Sequence, residues 1–265
     1  MNVFQTGEWM STLQDGYGYI PCCIMYEGAG LPYMLNRKFG TTNYLSMPFN
    51  NYGGIDDKDP FKTYYLSKAF AELPGLGYKY IVTYDDQVIW NGYQVAKRFT
   101  RVKDVTDPLD IQWTNLPKDV RDSIRSAWHN DIHVQVDDET LGRELLLTRF
   151  PTAFLDALEY HMGRYYFPYV ALKDGKVVAA SITFVYNDTT TLWANTSTSL
   201  GRMYDADYMM MWQIIQDAHN NNCKVVDLGN TTTHWGATNH EYRIHYIVPR
   251  PLRPFMKVRQ WINGY

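Results

Sequence analysis

Residues 165–186 read YYFPYVALKDGKVVAASITFVY, two runs rich in β-branched and aromatic residues on either side of Lys173-Asp174-Gly175-Lys176. Asp-Gly supplies the positive backbone angles of a tight hairpin, so Tyr165–Leu172 and Val177–Tyr186 are predicted to be antiparallel strands. Asn187-Asp188-Thr189-Thr190 makes the next turn, and Thr191–Thr196 reads as a third strand. A connection over Ser197–Asp205 leads to a strongly apolar helical run, Tyr208–Asn220, then to a short buried strand, Lys224–Leu228, closed by Gly229-Asn230. The remaining segments attach to this unit of three antiparallel strands, a helix and one further strand.

Upstream, Phe4–Leu13 reads as a short helix, and Tyr19–Tyr26 as a strand whose return arm, Leu31–Leu35, follows the turn Glu27-Gly28-Ala29-Gly30. Leu45–Ile55 is dense in turn formers and aromatics. Its Gly53-Gly54 pair allows positive φ and close approach of backbone to a ligand or to another strand. Asp59-Pro60 opens a helix through Ala71. Tyr78–Tyr84 and Gln87–Phe99 are predicted strands around Asp85-Asp86. Thr114-Asn115 and Pro117 start a helix on which Val120, Ile124 and Trp128 are expected to share the packing face, with Lys118, Arg121 and Arg125 solvated. Asp137-Asp138 caps a helix expected to run through Thr148. The helix after Pro151 carries Phe154, Leu155, Leu158 and Met162 as its apolar stripe. Tyr242–Val248 is a final strand. From Tyr242 on, Arg243, Arg250, Arg253, Lys257 and Arg259 interleave with Tyr246, Phe255 and Trp261, with no acidic residue.

The composition describes a folded globular protein: 265 residues, 45% hydrophobic, net charge -3. That balance gives no global attraction to nucleic acid or acidic membrane. The three cysteines, Cys22, Cys23 and Cys223, form neither a disulfide framework nor a metal knuckle. No window approaches the roughly 20 apolar residues of a membrane span. Met1–Met10 has no basic region followed by an apolar stretch, so a soluble cytoplasmic protein is expected. His129 and His133 stand four apart in what reads as a helix exit, and no metal site is expected.

Pro48-Phe49-Asn50-Asn51-Tyr52-Gly53-Gly54, the helix from Leu116-Pro117-Lys118-Asp119-Val120-Arg121, the hairpin Asp174–Ala179 and the strand end Val226-Asp227-Leu228-Gly229-Asn230 resemble, in order, segments of the FemAB-like (BioF2-like) branch of the acyl-CoA N-acyltransferase (GNAT) superfamily. The match spans nearly the whole chain. It implies an α+β fold of two tandem GNAT-like halves, 1–110 (degenerate) and 111–265, with mixed, mostly antiparallel sheets flanked by helices. It also implies metal-independent transfer of an acyl or aminoacyl group to an amine, with no required cofactor. Acyl-CoA or aminoacyl-tRNA would be the donor, and a small-molecule, peptide or glycan amine the acceptor. A non-catalytic ligand-binding relative and a CoA-dependent acetyltransferase are the alternatives.

Classical CoA-using members carry a glycine-rich loop before the long helix, whose N–H groups hold the pyrophosphate. Here Ser199–Asp207 keeps Gly201 and Arg202 but adds Asp205 and Asp207, whose carboxylates would repel that anion. Acyl transfer needs a deprotonated amine, donors for the developing oxyanion and a proton for the leaving group. Asp227, at a strand end, is the first candidate to orient or deprotonate an amine, against the competing role of capping the next turn. Tyr204 and Asp205 at the mouth of the helix come next. Asn50, Tyr52, Gly53, Asn195, Gly201, Arg202, Asn230, His234 and Trp235 are expected to line the substrate pocket.

Overall fold

The computed structural model describes residues 2–38, 40–49, 53–55, 57–75, 77–84, 87–137, 140–231 and 233–248. Asn50, Tyr52, the Asp85-Asp86 turn and the basic tail beyond Val248 lie outside that set. In chain order the elements are α1 (Gly7–Tyr17), β1 (Ile20–Tyr26), β2 (Ala29–Lys38), β3 (Thr41–Leu45), α2 (Pro60–Glu72), β4 (Lys79–Tyr84), β5 (Gln94–Asp104), α3 (Leu109–Thr114), α4 (Lys118–His129), β6 (His133–Val136), α5 (Arg143–Leu146), α6 (Thr152–Met162), β7 (Tyr166–Lys173), β8 (Lys176–Tyr186), β9 (Thr189–Ser197), α7 (Ser199–Met203), α8 (Ala206–Asn220), β10 (Val225–Asp227) and β11 (Thr238–Ile247). The expected α+β class holds, with mostly antiparallel strands and flanking helices.

Two compact units share the chain. The first takes residues up to Arg98, Ala153–His161 and the chain from Glu241; the second takes Phe99–Thr152 and Met162–His240. The first unit thus takes in two segments from later in the chain.

The first unit orders its strands β1-β2-β3-β4-β11, antiparallel except for β3 beside β4. Leu31, Tyr44, Leu66, Phe70 and Ile81 fill its core. Gly54 adopts φ +95°, and a Cβ there would sit 2.1 Å from the Val82 carbonyl oxygen. Of the two roles open to the glycine pair, this geometry is the close approach to another strand. Residues 87–93, expected as strand, are instead tethered by side chains. Gln87 Nε2 donates to the Ile55 and Asp57 carbonyls, and Trp90 N–H donates to Ser67 Oγ.

The second unit orders β5-β10-β9-β8-β7-β6, with β10 and β9 the parallel pair. The expected hairpin is present, with Asp174 and Gly175 both at positive φ. Val120, Ile124, Ala127, Ile214, Ile215 and Trp212 lie in the core of this unit. Trp128, expected among them, is 64% exposed. Eight helical residues past Val120 rotate a side chain about 80° off its face, whereas seven nearly close two turns, so Ala127 takes the inward place. The helix expected from Asp137 to Thr148 reduces to α5, because Asp137 spends its carboxylate on the Leu141 and Gly142 N–H groups, each at 2.7 Å.

Candidate functional site

The parallel pairing of β9 and β10 lasts three residues, Thr189 to Thr191 against Val225 to Asp227. Beyond Asp227 the chain leaves β9 and stays with β5. Leu228 N–H donates to the Arg101 carbonyl at 2.8 Å, and Arg101 N–H donates to the Gly229 carbonyl at 2.9 Å. Gly229 makes this exit at φ +65°. The strand β9 continues to Ser197, paired on its other side with β8, so Leu192–Ser197 has no strand beside it on the β10 side among the described residues. A register shift at Ile182/Thr183 adds local irregularity there. Arg149 donates from Nη1 to the Asn195 carbonyl on this open stretch. A strand with unpaired main-chain groups beside a diverging neighbour can accept an extended ligand and can aim N–H groups at a carbonyl oxygen.

Asp227 stands where the two strands part. Its Oδ1 accepts from Thr100 Oγ1 at 2.5 Å and from Gly229 N–H at 2.9 Å, and the residue is buried. The carboxylate thus ties the end of β10 to β5 and closes the turn that follows.

The segment between β9 and α8 is folded, not an open loop. Thr198 Oγ1 accepts from Gly201 N–H at 3.0 Å and caps α7. Gly201 is buried, and a Cβ on it would lie 2.3 Å from the Val178 carbonyl oxygen, which gives this glycine a packing role. Arg202, exposed, turns back to donate to the Ser197 carbonyl at 2.6 Å. At the mouth of α8, Asp205 takes the left-handed conformation, φ 55°, and its carboxylate makes no capping bond. Asp207 Oδ2 accepts from Ser197 Oγ at 2.5 Å, which joins the end of β9 to the first turn of α8, while its Oδ1 is buried without a hydrogen-bond partner among the described residues. Tyr204 is partly buried against the core, with Lys173 Nζ 4.9 Å from its ring centre.

Trp235 is 2% exposed and packs on Tyr208, ring centres 5.7 Å apart, so it belongs to the core. His234 is exposed, its Nδ1 accepting from Gly236 N–H at 3.2 Å, and Asn230 and Asn195 are exposed. Gly53 lies in the first unit, where a Cβ would meet the Ser46 carbonyl oxygen at 2.7 Å. The geometry thus gathers Asn195, Gly201, Arg202, Tyr204 and Asp205 around the end of β9. Sequence reasoning missed Arg101 and Lys103, which share one face of β5 in alternation that continues to the core residue Val105 just past the strand. That alternation was the available signal. Lys103 is 4% exposed, and burial holds it below the usual lysine range, with Asp104 and Asp107 opposing that shift.

The second unit coincides with a recognised family. The model of the acetyltransferase (GNAT) domain matches residues 100–241, more than half of the chain. The chain belongs to the GNAT family. No curated protein matches this GNAT chain in sequence. Among solved structures it is similar to FemX (12% identity, TM-score 0.66, covering 96% of this chain and 94% of that one). It is also similar to the C-terminal domain of a putative lysylphosphatidylglycerol synthetase from Agrobacterium fabrum (12%, 0.56, 91% and 88%). A third likeness is to L-PGS from Bacillus licheniformis (11%, 0.53, 93% and 92%). These likenesses are in fold, and they agree with the expected FemAB-like branch of the GNAT superfamily. Among the described residues of this GNAT chain, no three His, Cys, Asp or Glu side chains gather to hold a metal ion, and no helix is long and apolar enough to cross a membrane.

Proposed function

We propose that this GNAT-family chain transfers an acyl or aminoacyl group to an amine at the open stretch of β9. The observation that carries the reading is the three-residue pairing of β9 with β10, which leaves Leu192–Ser197 beside a diverging strand. The donor carbonyl sits against this edge, and main-chain N–H groups stabilise the oxyanion as the amine attacks. Asp205, whose carboxylate has no hydrogen bond or ion pair to a described residue, holds the amine and takes its proton as the C–N bond forms. The leaving oxygen or sulfur of the donor departs with the proton that Asp205 took from the amine, which returns Asp205 to its carboxylate form. Asp227 acts as a positioning residue that fixes the point of divergence.

An aminoacyl ester suits this site better than acyl-CoA. The place of a pyrophosphate loop is taken by α7, and carboxylates occupy the first turn of α8, where a diphosphate would gain from the helix dipole. The synthetase whose domain shares this fold is named for an aminoacylated product. The acceptor is a small-molecule, peptide or glycan amine.

The test is to supply acetyl-CoA or a pool of charged tRNAs with a panel of amines and to detect the new amide by mass spectrometry. Amide formed from charged tRNA supports the reading, and amide formed from acetyl-CoA alone reassigns the donor. A tight ligand at this cleft with no transfer from either donor would instead identify a binding protein.

A further inference from the structure

Arg101 and Lys103 are two residues apart on β5 and therefore share one face of the strand. The same face carries Val105, whose carbonyl accepts from His219 Nδ1 at 2.8 Å in the last turn of α8. Moving back from Val105 to Arg101 runs along β5 towards the point where β10 leaves β9. Lys103 is 4% exposed and makes no hydrogen bond or salt bridge with a described residue; its Nζ lies 3.6 Å from where a Cβ on Gly236 would sit. Arg101 is half-buried, its guanidinium donates no hydrogen bond to a described residue, and its Nη1 is fully buried.

A buried ammonium and a buried guanidinium nitrogen without a bonded acceptor are costly, and proteins retain such an arrangement where an anion completes it. A guanidinium fork and an ammonium on one strand face can together meet the planar or tetrahedral oxygens of a carboxylate or a phosphate. Asp104 and Asp107 attract Lys103 from a distance, but neither reaches it with a hydrogen bond or salt bridge. Asp104 Oδ1 is held by the Thr106 N–H and hydroxyl, at 2.8 and 2.6 Å.

We infer that Arg101 and Lys103 form an anion-binding site at the open end of β10, where they take a carboxylate or phosphate group. Its assignment to a substrate of the transfer reaction rests on the function proposed above; the binding itself does not. A substrate seated there would present its anionic group to β5 and its reacting group to the parting of β9 and β10.

The test is a thermal-shift titration of the full-length protein with inorganic phosphate in one arm and succinate in the other, on wild type, Lys103→Met, Arg101→Gln and Lys103→Arg. General salt stabilisation is not saturable and is the same for every variant. A site gives a saturable rise. The expected result is a saturable rise with one of the two anions, at least ~10-fold weaker affinity in Lys103→Met and Arg101→Gln, and near wild-type affinity in Lys103→Arg. The responding arm tells phosphate from carboxylate. Lys103→Met without anion is expected to melt higher than wild type, because it removes an unpaired buried charge. No saturable rise with either anion, or an equal rise in Lys103→Met and Arg101→Gln, overturns the site. Saturable binding in a protein that forms no amide would keep the site and remove only its assignment to transfer.

Discussion

The Thr100 hydroxyl donates to Asp227 Oδ1 at 2.5 Å, and this bond joins β5 to β10 at the residue where β10 parts from β9. Both residues are buried, so the hydroxyl cannot be replaced by bulk water at no cost. Thr100→Val is expected to lower stability by about 1–3 kcal/mol, since it leaves a buried carboxylate short of one donor. Thr100→Ser, which keeps the hydroxyl, should lose less. Urea unfolding midpoints of the two variants decide the matter, and a Thr100→Val variant as stable as wild type would mean that the bond contributes nothing.

Gly201 offers a prediction on packing. A methyl at this position would lie 2.3 Å from the Val178 carbonyl oxygen, and the Thr198 N–H donates to that same oxygen at 2.9 Å. The carbonyl is therefore not free to move aside. Gly201→Ala is expected to destabilise by about 1–3 kcal/mol, measurable as a lower melting temperature. A neutral substitution would show that α7 shifts without resistance.

His245 sets an acid limit on the first unit. It is buried, with its Nε2 2.9 Å from Thr83 Oγ1, and burial first, then the charge of Arg243, lowers its pKa from 6.5 to about 4. The unfolded chain therefore binds a proton between those two values that the folded chain refuses. Stability from this residue is complete above pH 6.5, falls as pH drops towards 4, and the loss amounts to something on the order of 3 kcal/mol. His245→Phe should flatten the stability profile over that window. A profile unchanged in slope would place the acid sensitivity elsewhere.

Local pattern carried much of the fold. The Asp174-Gly175 hairpin, the apolar run of α8 and the stripe Phe154, Leu155, Leu158 and Met162 were all legible, because each depends on neighbours close in sequence. Short elements were not. The strand β6 has four residues and α7 five, too few to show a period, and their existence depends on partners supplied by distant parts of the chain. The site was legible in part for the same reason. Asp205 announces itself as a polar residue ahead of an apolar helix, but the role of Gly201 depends on a carbonyl more than twenty residues away, and Asp227's engagement depends on Thr100. Arg101 and Lys103 lie beyond the strand expected to end at Phe99, and only burial and the lack of a bonded partner among the described residues set them apart.

Amide formation by Asp205→Asn is the most direct measurement of the central claim. Asparagine is nearly isosteric and tolerates the left-handed backbone at φ 55°, and no hydrogen bond to a described residue is lost, so the fold should be unchanged by circular dichroism and melting temperature. With charged tRNA as donor and the best amine found, the account predicts that wild type forms the amide and that Asp205→Asn forms it about 10²–10⁴-fold more slowly. Wild-type rates in Asp205→Asn, or no amide from wild type with any donor, would contradict it.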